Sequence, residues 1–266
     1  MKKKTLLSAL MAAVLSVGLL ADCGSVADKT SDAASSDGGN KKYLIACDAK
    51  YAPFSLEENG KYKGIDVELL DAIAKEEGFE YELKPMDFSA IIPGLTSDQL
   101  DGAIAGMSIT DERKKSLDFS DGYFESGLSI VVNSENTDIN GESDLQGKKA
   151  AIKKGTAGSQ FAEDNADKYN LTLNYFDDSP TMFLDVENKN SDFLMEDYPV
   201  IAYKVKVDGD ASKLKIAGDK LSKVDYGFAV NKGKNAELLQ KFNDGLKKLK
   251  ENGKYDEIVN QYVGKY

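Results

Sequence analysis

The sequence predicts an α/β fold of two lobes with a ligand cleft between them, and three observations carry that prediction. From Tyr43 onward, short apolar strands alternate with helices, the pattern of sheets built with crossover connections. A β-rich run at 127–133 carries Leu128, Ile130, Val131 and Val132 with no helix directly after it. A matching run returns at 227–230. Two such crossings imply that the chain leaves a first lobe, residues 41–128 plus 228–266, builds an inserted second lobe, residues 129–227, and comes back. Paired crossings make a hinge, and the space between hinged lobes is a common place for a small-molecule site.

The elements follow in order. Residues 43–47 form the first strand. Residues 64–77 form a helix, because Ile65, Leu69 and Ile73, and Leu70 and Ala74, repeat at i, i+4 and Gly78 supplies a left-handed stop. A strand at 80–85 precedes a short helix capped by Ser89 and running to Leu95, with Pro93 tolerated near its first turn. Residues 100–105 return as a strand, and Thr110-Asp111-Glu112 opens a helix whose first turn holds Arg113. In the second lobe 149–152, 171–176 and 193–195 are strands, while 155–169, 182–188 and the segment from Pro199 are helices. The last two helices carry Leu238, Leu239, Phe242, Leu246 and Leu249, then Tyr255, Ile258, Val259 and Tyr262, on helical spacing.

Ahead of these elements lies a segment with a different purpose. Lys2, Lys3 and Lys4 precede an apolar run from Leu6 to Leu20, too short for a comfortable membrane span and laid out as a secretory signal over residues 1–22. Leu20-Ala21-Asp22-Cys23 resembles a bacterial lipobox, with Asp22 where Gly, Ala or Ser is usual. Lipidation at Cys23 would tether an exported protein to the membrane, at the cell surface or in the periplasm. Residues 23–40, rich in Ser, Ala, Asp and Gly, read as a flexible spacer. Cleavage before Cys23 removes three lysines and one aspartate, taking the formal charge from −11 to −13. So acidic a chain, with no basic stripe, is a poor partner for nucleic acid. Only Cys47 remains in the folded part, so no intrachain disulfide is expected there.

One stretch carries more chemistry than the rest. Ala105-Gly106-Met107-Ser108-Ile109-Thr110-Asp111-Glu112-Arg113 puts a small-residue turn, a hydroxyl and a fixed cation at one strand end. The planar fork of Arg113 can take a carboxylate in two parallel hydrogen bonds, which a lysine cannot. With no histidine in the chain, no metal-ligand cluster and no nucleophile–base pair recognisable by spacing, neither a cofactor nor an enzymatic reaction is expected.

Several separated segments resemble one family in order and spacing: Asp48-Ala49-Lys50-Tyr51-Ala52-Pro53-Phe54, Gly64-Ile65-Asp66-Val67-Glu68-Leu69, Phe88-Ser89-Ala90-Ile91-Ile92-Pro93-Gly94-Leu95, the nonapeptide, Lys153-Lys154-Gly155-Thr156 and Glu196-Asp197-Tyr198-Pro199. The chain beyond the spacer looks like the extracytoplasmic solute-binding proteins of family 3, which deliver polar amino acids to ABC importers. Glu77 departs from the family, which usually has an apolar or small residue there.

The resemblance implies a two-lobed periplasmic-binding-protein type II fold, a monomer, and an ABC permease with its ATPase as partners. It implies that Arg113 grips the ligand α-carboxylate with the backbone N–H of Thr156, that Asp197 and the Gly106 carbonyl take the α-ammonium, and that the Ser108 hydroxyl serves either charge. Phe88 would stack on the ligand, and Asp48 and Lys153 would read a polar side chain, one accepting and one donating. Tyr51, Phe54, Ala105, Ala157 and Glu196 complete the implied ligand-binding set. An amide needs both an acceptor and a donor, which favours glutamine. Glu196 pulls toward a cationic amino acid such as arginine, lysine or histidine, the second reading. A same-fold enzyme such as a dehydratase is the third.

Overall fold

The computed structural model describes residues 41–264, so the signal segment, the spacer and Cys23 lie outside the described residues. The chain runs β1 (Lys42–Asp48), the hairpin β2 (Leu56–Glu58) and β3 (Lys61–Lys63), α1 (Ile65–Glu77), β4 (Glu80–Met86), α2 (Phe88–Thr96) and β5 (Gly102–Ala103). Next come β6 (Leu117–Phe119), β7 (Phe124–Ser126), β8 (Leu128–Asn133), β9 (Lys149–Lys153), α3 (Ala157–Asp164), α4 (Ala166–Tyr169) and β10 (Thr172–Phe176). The remainder is α5 (Ser179–Glu187), β11 (Phe193–Asp197), α6 (Tyr198–Asp208), β12 (Leu214–Ala217), β13 (Val224–Tyr226), β14 (Ala229–Asn231), α7 (Ala236–Glu251) and α8 (Lys254–Val263).

Two five-stranded sheets organise these elements, in the orders β4-β1-β5-β14-β6 and β10-β9-β11-β8-β12. In the first, β1 lies parallel to β4 and β5, and the returning β14 enters antiparallel. In the second, β9 lies parallel to β10 and β11, while β8 is antiparallel to β11 and β12. Between the sheets in chain order, β7 and β13 pair as an antiparallel ribbon. The sequence placed the outgoing crossing at 127–132; those residues are instead the interior strand β8, and Phe124–Ser126 pairs with the returning chain. A fully buried β8 explains the difference, because its continuous apolar run is what a strand covered on both faces requires.

Strand alternation sorts the core into layers. Tyr43 and Ile45 of β1 pack with α1 and α7 residues Leu69, Ile73, Phe242 and Leu246, whereas Leu44 and Ala46 face Phe88, Ile91 and Leu95 of α2. The second sheet repeats this arrangement. Ile130, Ile152, Phe193 and Met195 meet Phe161 and Ala162 of α3, while Val131, Ala151 and Leu194 meet Met182, Phe183 and Ile201 of α5 and α6. With helices on both faces of each sheet, the strand ends are what remain open to a ligand. β1, β9 and β11 end at Asp48, Lys153 and Asp197, the positions where ligands bind in open α/β sheets.

Several local expectations need correction. Asp87, not Ser89, precedes α2, and Pro93 is the sixth residue of that helix rather than near its first turn. The lost donor is tolerable because Ser89, whose carbonyl it would have met, lies on the exposed face. The strand expected at 100–105 shrinks to two ladder residues before Gly106 turns left-handed. The helix expected from Thr110 is a single 3-10 turn, Arg113–Lys115, cut short because the chain must re-enter the first sheet at Leu117. The expected helix 155–169 is broken at Asn165. Helix α1 starts and stops as expected, and Gly64 at its start has φ 124°, with an added Cβ falling 2.3 Å from the Phe54 carbonyl oxygen. Cys47 is buried, and burial pushes its thiol up to about 12, so it is an inert core residue.

Candidate ligand-binding site

The first wall of the site is built from loops that leave the first sheet. Asp48 ends β1, 2% exposed, and its Oδ1 accepts the Lys50 N–H at 3.1 Å. The turn that follows is closed by reciprocal backbone bonds between Tyr51 and Ser55 at 2.7 and 2.9 Å, and it delivers the Tyr51 ring to the cleft. After β5, Gly106 adopts φ 54° with its N–H donating to Oδ2 of Asp66 at 2.7 Å and lying 3.1 Å from the Tyr123 hydroxyl, which itself donates to Oδ1 of Asp66 at 2.7 Å. A Cβ on Gly106 would sit 2.4 Å from Cε1 of Tyr51, so only glycine fits between that ring and the site. The Ser108 stretch bonds to the returning crossing, through Ile109 N–H to Asp225 and Gly227 N–H to Met107.

Arg113 is 8% exposed and held from three sides. Its backbone N–H meets the Thr110 hydroxyl at 3.3 Å, which ties the turn to the loop before it, while Glu112 occupies the position ahead of the turn. Its Nη1 donates to the Ser108 carbonyl at 2.9 Å and its Nη2 to the Gly155 carbonyl at 3.1 Å, while the guanidinium carbon lies 5.3 Å from the Phe88 ring centre. Of five N–H donors two are engaged, which leaves three for a carboxylate.

The facing wall comes from strand ends of the second sheet. Lys153, 1% exposed, is ion-paired with Asp48 across the cleft, with Nζ 4.6 Å from the centre of the Tyr51 ring. Thr156 caps α3, accepting the Ser159 N–H at 3.1 Å and donating to the Lys153 carbonyl at 2.8 Å. Its own N–H points at the same carbonyl at 3.4 Å; the N–H groups of Ala157 and Gly158 have no acceptor within the helix, and of these two residues Ala157 lines the chamber. Asp197 receives two hydroxyls on Oδ2, from Tyr226 at 2.6 Å and Tyr51 at 2.9 Å. Burial pushes the Asp197 carboxyl up, and the two phenols draw it back down.

Ten of the thirteen expected residues line one chamber: Asp48, Tyr51, Phe88, Gly106, Ser108, Arg113, Lys153, Thr156, Ala157 and Asp197. The chamber is closed to about 10 Å³, close to what one water needs. Phe54, Ala105 and Glu196 are outside its wall. Phe54 is a core ring, stacked 5.9 Å from Tyr51 and edge-on to Phe124 and Tyr226 at 5.0 Å. Ala105 packs under the loop with Phe88 and Met107. Glu196 precedes Asp197 on β11, and strand alternation turns it to the other side, where Ser179 donates to Oε2 at 2.9 Å and the Asp197 N–H to Oε1 at 2.9 Å. Burial, then the neighbouring charge of Asp197, pushes Glu196 up to about 7.

Four residues that shape the site were not in the sequence-derived set. Tyr226 donates to Asp197 in the chamber wall and Tyr123 to Asp66 behind it, Ser179 joins Lys153 to Glu196, and Asp66 holds Gly106. Asp66 stands in the quoted segment 64–69, and its position in the first turn of α1 was the available signal, since a buried carboxylate there faces the positive end of the helix. The two lobes are also tied at the rim by Lys50 and Asp178, 2.7 Å apart.

Residues 43–265 match the family described as bacterial extracellular solute-binding proteins, family 3. The arginine-binding extracellular protein ArtP of Bacillus subtilis (strain 168) is 31% identical over 263 residues, covering 98% of this chain and 98% of that one. A probable histidine-binding protein of Neisseria gonorrhoeae is 31% identical over 265 residues, 99% of this chain and 96% of that one. Among solved structures, an ancestral arginine-binding protein bound to arginine is 40% identical with a TM-score of 0.78, covering 84% of this chain and 98% of that one. A structure of an ancestral arginine-binding protein bound to glutamine has the same identity and coverage and a TM-score of 0.77. The architecture is thus the two-lobed α/β type II fold of these binding proteins, and the chain belongs to the bacterial extracellular solute-binding proteins, family 3.

Proposed function

We propose that this protein captures a polar amino acid outside the cytoplasm, with glutamine as its ligand, and hands it to an ABC permease driven by its ATPase. The amino-acid class is supported by the named relatives, which are binding proteins for arginine and histidine rather than enzymes. The zwitterion spans the cleft: Arg113 and the Ala157 N–H take the carboxylate, and Asp197 with the Gly106 carbonyl takes the ammonium. Because these groups come from both lobes, a bound ligand favours the closed state by contacts it makes only there.

The buried Asp48–Lys153 pair carries the choice of glutamine. It sets an acceptor beside a donor, the two things a carboxamide needs. A cationic side chain in the same place would meet the Lys153 ammonium, and like charges at contact cost several kcal/mol. Arginine is the second reading, favoured by the relatives that bind it.

Thermal unfolding with each amino acid at 1 mM tests this. Glutamine bound at about 1 µM would add about 4 kcal/mol of stability, which raises Tm on the order of 10 °C in a chain of this size. The ligand is expected to be recovered unchanged, as binding without turnover requires. A rise with arginine and none with glutamine would overturn the glutamine assignment, and no rise with any amino acid would overturn the class.

The proposal includes a monomer held at the membrane by lipid on Cys23. Cys23→Ser is then expected to move the protein from the membrane to the soluble fraction and to abolish incorporation of radiolabelled fatty acid; unchanged fractionation and labelling would remove the tether.

A further inference from the structure

Lys153 lies between two acids. Its Nζ pairs with Asp48, a chamber residue at the end of β1, and stands 3.4 Å from the Ser179 hydroxyl at the start of α5. That hydroxyl donates to Oε2 of Glu196 at 2.9 Å, behind the chamber wall. An ammonium on a four-carbon stem reaches either acid by rotating its end, and both positions are buried. Ser179 fits either arrangement, because a hydroxyl accepts from the lysine and donates to the carboxylate at once.

We propose that Glu196, acting through Ser179, is a second seat for the Lys153 ammonium, and that the acid holding the lysine selects the charge of the ligand side chain. With Lys153 on Asp48, the chamber presents an acceptor and a donor to a neutral amide. With Lys153 drawn back to Glu196, Asp48 is released to pair with a cationic side chain. This rests on the chamber being the amino-acid site proposed above.

The groups facing Glu196 are few. Asp197 adjoins it on β11, the Tyr51 hydroxyl lies 3.4 Å away on the loop after β1, Ser179 comes from α5 and Lys153 from β9; Tyr226 on β13 and Asp48 on β1 are one contact further. Burial and the Asp197 charge place its titration at about 7. Below that pH the protonated carboxyl cannot hold the ammonium and the lysine stays on Asp48. Above it the second seat is charged, so cationic ligands gain affinity as pH rises. From pH 6 to pH 8 the ionised fraction of such a group climbs from about a tenth to about nine tenths, roughly a ninefold change.

Calorimetry with glutamine and with arginine at pH 6 and pH 8 tests the switch in the wild-type protein, Glu196→Gln and Ser179→Ala. In wild type the arginine-to-glutamine ratio of association constants is expected to rise roughly ninefold across this interval. In both variants the ratio is expected to lose that dependence; a purely structural role would weaken both ligands together and leave it intact. A pH-independent ratio in wild type, arginine undetectable at both pH values beside measurable glutamine, or a persisting dependence in Glu196→Gln each overturns the switch alone. Should the variants not melt cooperatively, the wild-type series decides by itself. Failure of wild type to bind either amino acid would overturn the chamber assignment and the switch with it.

Discussion

Replacing Arg113 with alanine is expected to weaken glutamine binding by roughly 2 to 5 kcal/mol, because the ligand carboxylate would be closed into a dry chamber without its cation. In dissociation constants that is a factor of about 30 to several thousand. Two contributions add. Three guanidinium donors are lost to the ligand, and the Nη2 bond to the Gly155 carbonyl, which joins the first wall to the second, disappears. Arg113→Lys is expected to fall between wild type and alanine, since an ammonium keeps the charge without the planar fork that spans Ser108 and Gly155. Calorimetry on the three proteins, each first shown to melt cooperatively, makes the comparison. Affinity for glutamine that is the same in Arg113→Ala as in wild type would remove the central anchor of the site.

The second large effect concerns stability without ligand. Asp66 and Glu196 are buried carboxyls whose burial pushes both up to about 7, from ordinary values of 3.8 and 4.5. A carboxyl with a higher pKa in the folded chain than in the unfolded chain stabilises the fold through its protonated form. That contribution is complete below the unfolded values and is lost as pH rises through about 7. The protein is therefore expected to be more stable at pH 5.5 than at pH 8, on the order of 2 to 4 kcal/mol for the two groups together. Exposed acids paired with lysines, such as Glu82 and Glu125, are shifted down and work in the opposite direction, but solvent screens them. Asp66→Asn is expected to remove about half of the dependence, since an amide can still accept the Gly106 N–H and donate to the Tyr123 oxygen. Thermal melts at the two pH values check this; an equal or higher Tm at pH 8 would contradict it.

Much of the site was legible because its residues sit at ends of elements that the sequence marks. Asp48, Lys153 and Asp197 end strands with plain apolar patterns, Thr156 carries the side chain of a helix cap, and Gly106 is a glycine at the left-handed turn that follows a strand. Arg113 was legible for its chemistry, although the helix expected around it is a single 3-10 turn. Glu196 stands one contact behind the chamber because successive strand residues point to opposite sides, and the Tyr51 hydroxyl at the strand end reaches both it and Asp197. Tyr226 and Ser179 carried no signal. A tyrosine in a crossing and a serine at a helix start each have an ordinary local explanation, and their partners lie far along the chain.

By itself the sequence determined the α/β alternation, the use of two crossings, and residue types suited to a zwitterion, because periodicity, glycine placement and charge are local properties. The tertiary structure alone decided which acid each cation meets. Lys153 pairs with Asp48 across 105 positions, and Tyr51 reaches Asp197 across 146. Such pairings depend on how two separately built sheets close on one another, and a chain's local pattern carries no record of the distance between groups brought together only by that closure.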